Sequence, residues 1–350
     1  MTKTVNNAKF TNMKSWKLTS QGSIELITTP SETPGFGQVK IKVEKTSISL
    51  PDLMIYMGKS KVDYPITLGR NCVGMIIETG PGVEDFKRGD KVYVCAKKYC
   101  GQCPACKSGH YFLCDDFKTF GYNTDGFMRD FAIIDASDCA LLPERIDSNE
   151  AIFLDHISLA TQVLTALKIN KGEYVAISGC GLPGLILGEV ALYLQAIPIM
   201  IDTDSKMLSL AKRLGIYYTI NSTETNPEEK IFHITGGKMA KHSAVFTSGN
   251  ISVEQALSFA GIGARIAVVE RPGIVTKQKC GIDIIQNNCL SLFGVNGGTN
   301  IQISINMLVN RAIDLSTLSE MNVRIDEIPD IMKELAESTR KYHLQYIVDI

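Results

Sequence analysis

The sequence predicts a two-domain α/β protein in which a β-rich barrel or sandwich precedes a parallel sheet. The chain has 350 residues, which suggests two domains at about 150 residues per domain. β-Branched runs separated by turn signals recur up to about residue 150, as in barrels and sandwiches. Beyond that point helical patterns alternate with short apolar runs, which is typical of a parallel sheet.

Composition and charge exclude several classes of protein. Apolar residues make up 45% of the chain and charged residues 21%, as in globular proteins. The formal net charge is -1, so no general basic field favours nucleic acid. Polar residues and prolines interrupt the longest apolar stretch, residues 182–201, which excludes a spanning helix of about 20 residues. The N-terminus lacks the apolar core of a signal peptide. We therefore expect a cytoplasmic protein with a small-molecule substrate and neither a nucleic-acid nor a membrane partner.

The two domains are justified by their individual segments. In the first domain, residues 1–150, the strand candidates are residues 39–43, 73–77 and 91–94. The second domain, residues 151–290, has strand candidates at residues 174–178, 198–201, 217–220, 244–247 and 265–269. Residues 291–350 are expected to complete both domains, with a helix at residues 327–339 and a strand at residues 345–349.

A glycine-rich loop follows the strand candidate at residues 174–178 and opens a helix candidate at residues 185–194. Its spacing is G-x-G-x-x-G, formed by Gly179, Gly181 and Gly184. The first glycine permits a tight turn, the second allows close approach of a pyrophosphate, and the third allows tight helix–strand packing. The helix N-terminus, including Leu182 and Pro183, then attracts the phosphates. This context favours a Rossmann dinucleotide site over a structural glycine turn.

Asp202 ends the next strand candidate, about 20 residues after the glycine loop. A carboxylate at this place binds the 2′-hydroxyl of the adenosine ribose. It also repels a 2′-phosphate, and no arginine follows it directly. The sequence therefore predicts NAD(H) as cofactor, in preference to NADP(H).

Four cysteines lie close together in the segment 95–115. Cys100, Cys103, Cys106 and Cys114 have the spacing C-x2-C-x2-C-x7-C. Four thiolates suit one closed, tetrahedral structural Zn²⁺, although thiolates also hold iron–sulfur clusters. The six other cysteines are scattered, and we expect them to be small buried apolar residues.

Together these features resemble the medium-chain dehydrogenase/reductase superfamily, and most closely its zinc-containing alcohol, polyol and threonine dehydrogenases. The similarity covers almost the whole chain. Besides the cysteine segment and the glycine loop with Asp202, it rests on the stretches 121–134, 248–250 and 261–269. The last of these contains Val268, which we include among the cofactor-binding residues.

The resemblance implies a GroES-like β-barrel catalytic domain and a Rossmann doubly wound domain. It also implies hydride transfer to and from a nicotinamide cofactor, and a homodimer or homotetramer.

The segments that hold the catalytic zinc in this family are altered here. Ser49 stands where the family has a cysteine ligand, and Pro51 and Met54 stand at the hydroxyl and the histidine that follow it. Arg70 replaces the ligand histidine of the family's G-H-E segment, with Asn71 in place of the glutamate. Asp155 matches the third ligand position.

An arginine at this place opposes a zinc ion. The guanidinium has no lone pair to offer and stays protonated. Its repulsion of Zn²⁺ at about 4 Å amounts to about 8 kcal/mol at an effective dielectric of about 20. The sequence therefore predicts that the catalytic zinc is absent while the structural zinc is retained.

We expect Arg70 to occupy the vacated space and to pair with Asp155. The pair is either a salt bridge that fills a former metal site or a replacement for the metal. In the second case Arg70 holds a carboxylate or polarises a carbonyl group during hydride delivery. Tyr56, Asp52 and His156 are the candidate proton donors, although the tyrosine and the histidine are each more often structural.

Two alternatives remain open. A displaced metal site formed from Cys72, Asp52, Asp155 and His156 would restore a zinc-dependent alcohol or polyol dehydrogenase. Alternatively, the chain is a non-catalytic nucleotide-binding protein. The leading hypothesis is an NAD(H)-dependent oxidoreductase without catalytic zinc that reduces an activated C=C bond or a carbonyl group.

Overall fold

The computed structural model describes most of the chain, with short gaps. The described residues are 12–246, 253–269, 280–298, 300–319, 321–337 and 344–350. The stretch 248–250, which contributed to the family resemblance, lies outside these residues, as does the end of the predicted helix at residues 327–339.

The N-terminal part is mainly β-structure, as predicted. Its strands are β1 (Asn12–Ser20), β2 (Ser23–Pro30), β3 (Gln38–Ile48), β4 (Ile66–Thr67), β5 (Cys72–Thr79), β6 (Lys91–Val94), β7 (Lys97–Lys98), β8 (Lys118–Thr119), β9 (Phe131–Asp135) and β10 (Cys139–Leu141). Its helices are α1 (Leu50–Tyr56), α2 (Pro104–Lys107) and α3 (Ser148–Ala151).

The rest of the chain alternates helices and strands. In order these are α4 (Leu154–Leu167), β11 (Tyr174–Ser178), α5 (Leu182–Tyr193), β12 (Ile197–Asp202), α6 (Ser205–Arg213), β13 (Tyr218–Asn221), α7 (Pro227–Ile234), β14 (Ala240–Phe246), α8 (Val253–Ser258), β15 (Ala260–Val269), α9 (Ile282–Asn287), β16 (Ser291–Val295), α10 (Ile301–Val309), β17 (Asn322–Arg324), α11 (Ile328–Glu337) and β18 (Tyr346–Asp349).

Six parallel strands form the sheet of the second domain, in the order β13-β12-β11-β14-β15-β16. This is the order of a doubly wound Rossmann sheet, in which ligands bind at the carboxyl ends of the strands where the order reverses. Here the reversal lies between β11 and β14. The predicted α/β fold class is confirmed, and the glycine loop after β11 lies at the expected edge.

The C-terminal strands β17 and β18 belong to the mixed sheet of the first domain. β18 pairs antiparallel with β3, with Tyr346 opposite Ile48, and the long mixed sheet runs in the order β10-β6-β5-β3-β18-β17, while β9 also pairs with β3. This register brings Gln345, which precedes β18, beside Ser49, which follows β3.

Apolar packing joins the two parts where the site lies. The largest buried cluster includes Tyr93 of the first sheet, Phe153 at the start of α4 and Leu185 of α5. Helix α5 is buried along nearly its whole length, and its leucine, isoleucine and valine residues suit a helix enclosed on all sides. Helices α4 and α5 therefore hold the side chains and the loop at their N-termini in fixed positions. None of the described helices is long and apolar enough to cross a membrane.

Candidate functional site

The glycine loop has the geometry of a phosphate cradle. Gly179 has φ +109°, a conformation that glycine adopts without steric cost. A Cβ on Gly184 would lie 1.9 Å from the carbonyl oxygen of Gly179, so only glycine allows α5 to approach β11 this closely. The loop therefore fits the phosphates of a dinucleotide.

Helix α5 begins within the loop. Gly181 is its N-cap residue, Leu182 is its first residue, and Pro183 lies in its first turn. Proline is favoured there because the first N–H groups of a helix have no partner within the helix. The free N–H groups and the helix dipole attract an anion at this end.

Asp202 lies at the carboxyl end of β12, beside the loop. Its carboxylate accepts hydrogen bonds from the backbone N–H groups of Cys180 at 2.6 Å, Thr203 at 2.7 Å and Asp204 at 3.0 Å. These bonds fix the carboxylate at the edge of the sheet that Rossmann proteins use for the cofactor ribose. Val268 lies near the carboxyl end of β15, two strands away from β11.

The four predicted metal ligands converge. The Sγ atoms of Cys100, Cys103, Cys106 and Cys114 all lie within 4.8 Å of one another, and no other such group of His, Cys, Asp and Glu side chains occurs in the part of the chain that the structure describes. The short strands β7 and β8, which precede and follow the four cysteines in the chain, pair antiparallel with each other.

Backbone donors surround these sulfur atoms. The N–H groups of Cys103, Cys106 and Cys100 donate to the Sγ atoms of Cys100, Cys103 and Cys114, respectively, each at 3.4 Å. The bond from the Cys106 N–H lowers the pKa of Cys103 to about 6. Donors aimed at sulfur favour the thiolate form that binds metal. The donor set fits one tetrahedral structural Zn²⁺.

Ser49 and Asp52 form a closed hydrogen-bonded unit at the start of α1. The Asp52 carboxylate accepts from the Ser49 hydroxyl, from the Ser49 N–H at 2.9 Å and from the Gly69 N–H at 3.1 Å. Burial raises the pKa of Asp52, against the lowering effect of these donors and of Arg70. The Ser49 hydroxyl therefore donates its hydrogen bond to the Asp52 carboxylate.

Arg70 follows Gly69 and lies within electrostatic range of Asp52 and His156. Its Nε atom is buried and has no hydrogen-bond partner among the described residues. The expected ion pair with Asp155 is absent from the described part of the chain. The reason is that the Asp155 carboxylate accepts from the Ala96 N–H at 2.9 Å and interacts with Tyr93 and Cys95.

His156 lies beside the C-terminal strand. Its Nε2 atom is 3.3 Å from Oε1 of Gln345, and because an amide oxygen only accepts, the histidine donates. Burial lowers the pKa of His156, and Arg70 lowers it further, against the raising effects of Asp155 and Gln345. The ring is therefore held neutral.

Two other candidates lie elsewhere. Tyr56 packs in an apolar cluster with Leu18, Ile328 and Met332, and burial and Glu337 raise its pKa. We therefore assign Tyr56 no catalytic role. Cys72 lies in a separate apolar cluster of the barrel, where burial raises the pKa of its thiol. Because its strand turns this side chain into the core, it does not join Asp52, Asp155 and His156 in a displaced metal site.

The sequence analysis assigned no role to two neighbours of the site, Asn71 and Gln345. Asn71 donates to the Tyr93 hydroxyl and to the Ile152 carbonyl, both at 3.0 Å, and accepts from the Ser47 hydroxyl at 3.0 Å. This fully bonded amide links the barrel to the start of α4. Gln345 was also missed, since only the pairing of β18 with β3 could reveal it.

A catalytic zinc does not fit these residues. Ser49 is bound to Asp52, Asp155 is bound to the Ala96 N–H, and Arg70 brings a positive charge. No thiolate and imidazole converge with them within the described residues. The site instead combines a half-buried guanidinium, a neutral histidine and an amide.

Comparison with known proteins matches both parts of the chain. The family model described as "Alcohol dehydrogenase GroES-like domain" matches residues 35–144, and "Zinc-binding dehydrogenase" matches residues 184–303. L-threonine 3-dehydrogenase of Pyrococcus horikoshii is 32% identical over 279 residues, which cover 78% of this chain and 79% of that protein.

Two further comparisons extend over more of the chain. An uncharacterized zinc-type alcohol dehydrogenase-like protein of Haemophilus influenzae is 29% identical over 87% of this chain and 89% of its own. The alcohol dehydrogenase rspB of Escherichia coli, solved in complex with NADH, superposes with a TM-score of 0.87 at 22% identity, covering 97% of this chain and 100% of that one.

The glycine loop with Asp202, the four-cysteine segment and these matches agree with one another. The chain therefore belongs to the NAD(P)-dependent, zinc-type medium-chain dehydrogenase/reductase superfamily, and it is an oxidoreductase.

Proposed function

We propose that this protein is an NAD(H)-dependent oxidoreductase that works without a catalytic zinc and reduces an activated C=C bond or a carbonyl group. The observation that carries the proposal is the half-buried Arg70 side chain, with its buried Nε atom, at the position where the family resemblance places a metal-ligating histidine. The hydrogen bonds that occupy Ser49 and Asp155 support it. One structural zinc in the four-cysteine segment is part of the same proposal.

Asp202 supports the choice of NAD(H). Its carboxylate is anchored by three backbone N–H groups, so it cannot move far to admit a 2′-phosphate. Two negative groups in contact repel each other, whereas the ribose hydroxyls of NAD(H) can donate to a carboxylate.

The remaining residues suit reduction better than alcohol oxidation. Bound NADH supplies a hydride to an electrophilic carbon. Arg70 is placed to stabilise negative charge that develops on a substrate oxygen, because donors fixed in a buried site need no reorganisation. The neutral His156 ring carries a proton on Nε2, directed at Gln345, and is the candidate proton donor. Without a catalytic metal, and with Pro51 in place of the family's hydroxyl, the site offers no group that would favour the deprotonation of a simple alcohol.

The displaced-zinc alternative is disfavoured because Cys72 is enclosed in the barrel core. The zinc content per chain separates the two functions when the protein is purified without added metal or chelator. We expect about one zinc per chain, and NADH oxidation with enones or carbonyl compounds that persists after a brief chelator treatment. About two zinc ions per chain, with chelator-sensitive alcohol oxidation, would refute the proposal.

A further inference from the structure

Two buried hydrogen-bond donors near the site have no acceptor. They are Nε of Arg70 and Nε2 of Gln345, and neither has a partner in the described residues. Gln345 is only 4% exposed. An unpaired buried donor costs free energy, and a charged one costs more than a neutral one. A ligand that supplies acceptors would satisfy both donors.

Several contacts bring these two residues to one place. Gln345 lies beside Ser49 through the register of β18 and β3, and Ser49 donates to Asp52. Asp52 in turn accepts from Gly69, the residue before Arg70. Gln345 also accepts from His156, whose pKa Arg70 influences directly.

Within the described residues, no acidic group satisfies these donors. The carboxylate of Asp52 faces Ser49 and Gly69, and that of Asp155 faces Ala96. In the described chain neither of them forms an ion pair with Arg70 within 4.0 Å. Arg70 is therefore a half-buried cation with a buried Nε atom and, within the described residues, no direct counter-ion.

We propose that the substrate carries a carboxylate group, and that Arg70 and Gln345 bind its two oxygen atoms. This inference rests on the proposed function, because it assumes that Arg70 faces the substrate and not a metal. The reducible bond then lies next to, or conjugated with, an acid group, as in 2-oxo acids and 2-enoic acids.

A carboxylate suits this site better than a neutral carbonyl group. Its charge compensates the half-buried guanidinium of Arg70, and its two oxygens match two separate donors. A neutral ester offers weaker acceptors and leaves the positive charge uncompensated. Binding of the acid should therefore exceed binding of its methyl ester by about tenfold or more, because hydrogen bonds to charged groups are the stronger ones.

The test measures binding to the full-length enzyme–NADH complex by calorimetry. The probes are 2-oxobutyrate and trans-cinnamate, each compared with its methyl ester. We expect tighter binding of the acids to the wild type. Arg70→Met should remove that preference. Arg70→Lys should keep part of it, because lysine retains the positive charge but lacks the planar guanidinium with its paired N–H donors. Gln345→Leu should weaken acid binding less than Arg70→Met does.

The exposed Arg88 provides a matched control. Arg88→Met should bind acids like the wild type. Esters that bind as well as the acids, no binding of any acid, or an acid preference that survives in Arg70→Met would each overturn the carboxylate inference. Zinc-free reduction of esters would leave the proposed function intact while this inference fails. Conversely, acid binding that depends on Arg70 without any NADH oxidation would refute the proposed reductase function. The inference that Arg70 binds a carboxylate would then still hold.

Discussion

At the scale of single residues, the surroundings of a side chain decide which predicted partners it meets. Arg70 and Asp155 were expected to form an ion pair, but the carboxylate is bound by the Ala96 N–H. The sequence shows charges and their approximate places, yet it does not show which backbone donors reach them first. Gln345 was unpredictable for a related reason, since its contact with His156 spans 189 residues of chain.

Asp202, in contrast, was predictable because its place after a strand and a glycine loop is set by local chain geometry. Asp202→Ala should weaken NADH binding about tenfold, the effect of losing a hydrogen bond to a charged group. It should weaken NADPH binding less, or strengthen it, because a repulsive charge is removed. Fluorescence titration with both cofactors measures this.

The control for this variant is Asp204→Ala, which removes the N-cap side chain of α6 and should leave the ratio of the two affinities unchanged. Equal effects of Asp202→Ala on NADH and NADPH would refute the role assigned to this carboxylate.

At the scale of elements, segments with strong local signals were predicted well and the others were not. The strand at residues 174–178 was predicted with the bounds of β11. Helix α5 begins at Leu182, before the predicted start at residue 185, because proline is accommodated in a first turn. The hairpin of β1 and β2 was not predicted, since its mixed polar and apolar residues lack a clear apolar alternation.

We expect the stability of the four-cysteine segment to depend on a bound zinc ion. Cys103→Ser should reduce the zinc content from about one per chain to near zero, because a hydroxyl is a poor ligand compared with a thiolate. It should also lower the Tm. Elemental analysis and thermal unfolding measure these effects.

Cys289→Ser replaces an exposed cysteine outside this segment and serves as control, with unchanged zinc and Tm. A full complement of zinc in Cys103→Ser would show that the metal is bound elsewhere.

Helix α5 carries a buried acid that makes its stability depend on pH. Burial raises the pKa of Glu189 to about 7, aided by Asp314 and opposed by a backbone hydrogen bond. Because the folded-state pKa is raised above the unfolded value of about 4.3, the folded protein holds the proton more tightly. Stability is thus fully present below the unfolded pKa and falls as the pH rises towards 7.

Glu189→Gln removes this titration. The variant should be more stable than the wild type at pH 8, by up to about 3 kcal/mol, with the difference shrinking towards pH 5. Urea unfolding across this pH range measures the difference. A constant difference at all pH values would contradict the assignment to Glu189.

At the scale of the whole molecule, the sheet order leaves the two edge strands of the parallel sheet, β13 and β16, with one partner each among the described strands. β16 pairs only with β15 among the described strands, and its residues Ser291, Leu292 and Gly294 are exposed. An open edge strand with exposed apolar residues is a template for pairing with another chain. It supports our proposal of a homodimer or homotetramer, which the family resemblance implied but no local pattern in the sequence could locate.

Light scattering after size-exclusion chromatography tests this proposal. We expect a mass of at least twice the 38.4 kDa of one chain, and a shift towards the monomer in Leu292→Lys, because a buried charge at the edge opposes association. Tyr217→Lys changes an exposed side chain beside β13, at the opposite edge of the sheet, and should leave the mass unaltered. A monomeric wild type would refute the oligomer, whereas an oligomer that persists in Leu292→Lys would place the interface on another surface.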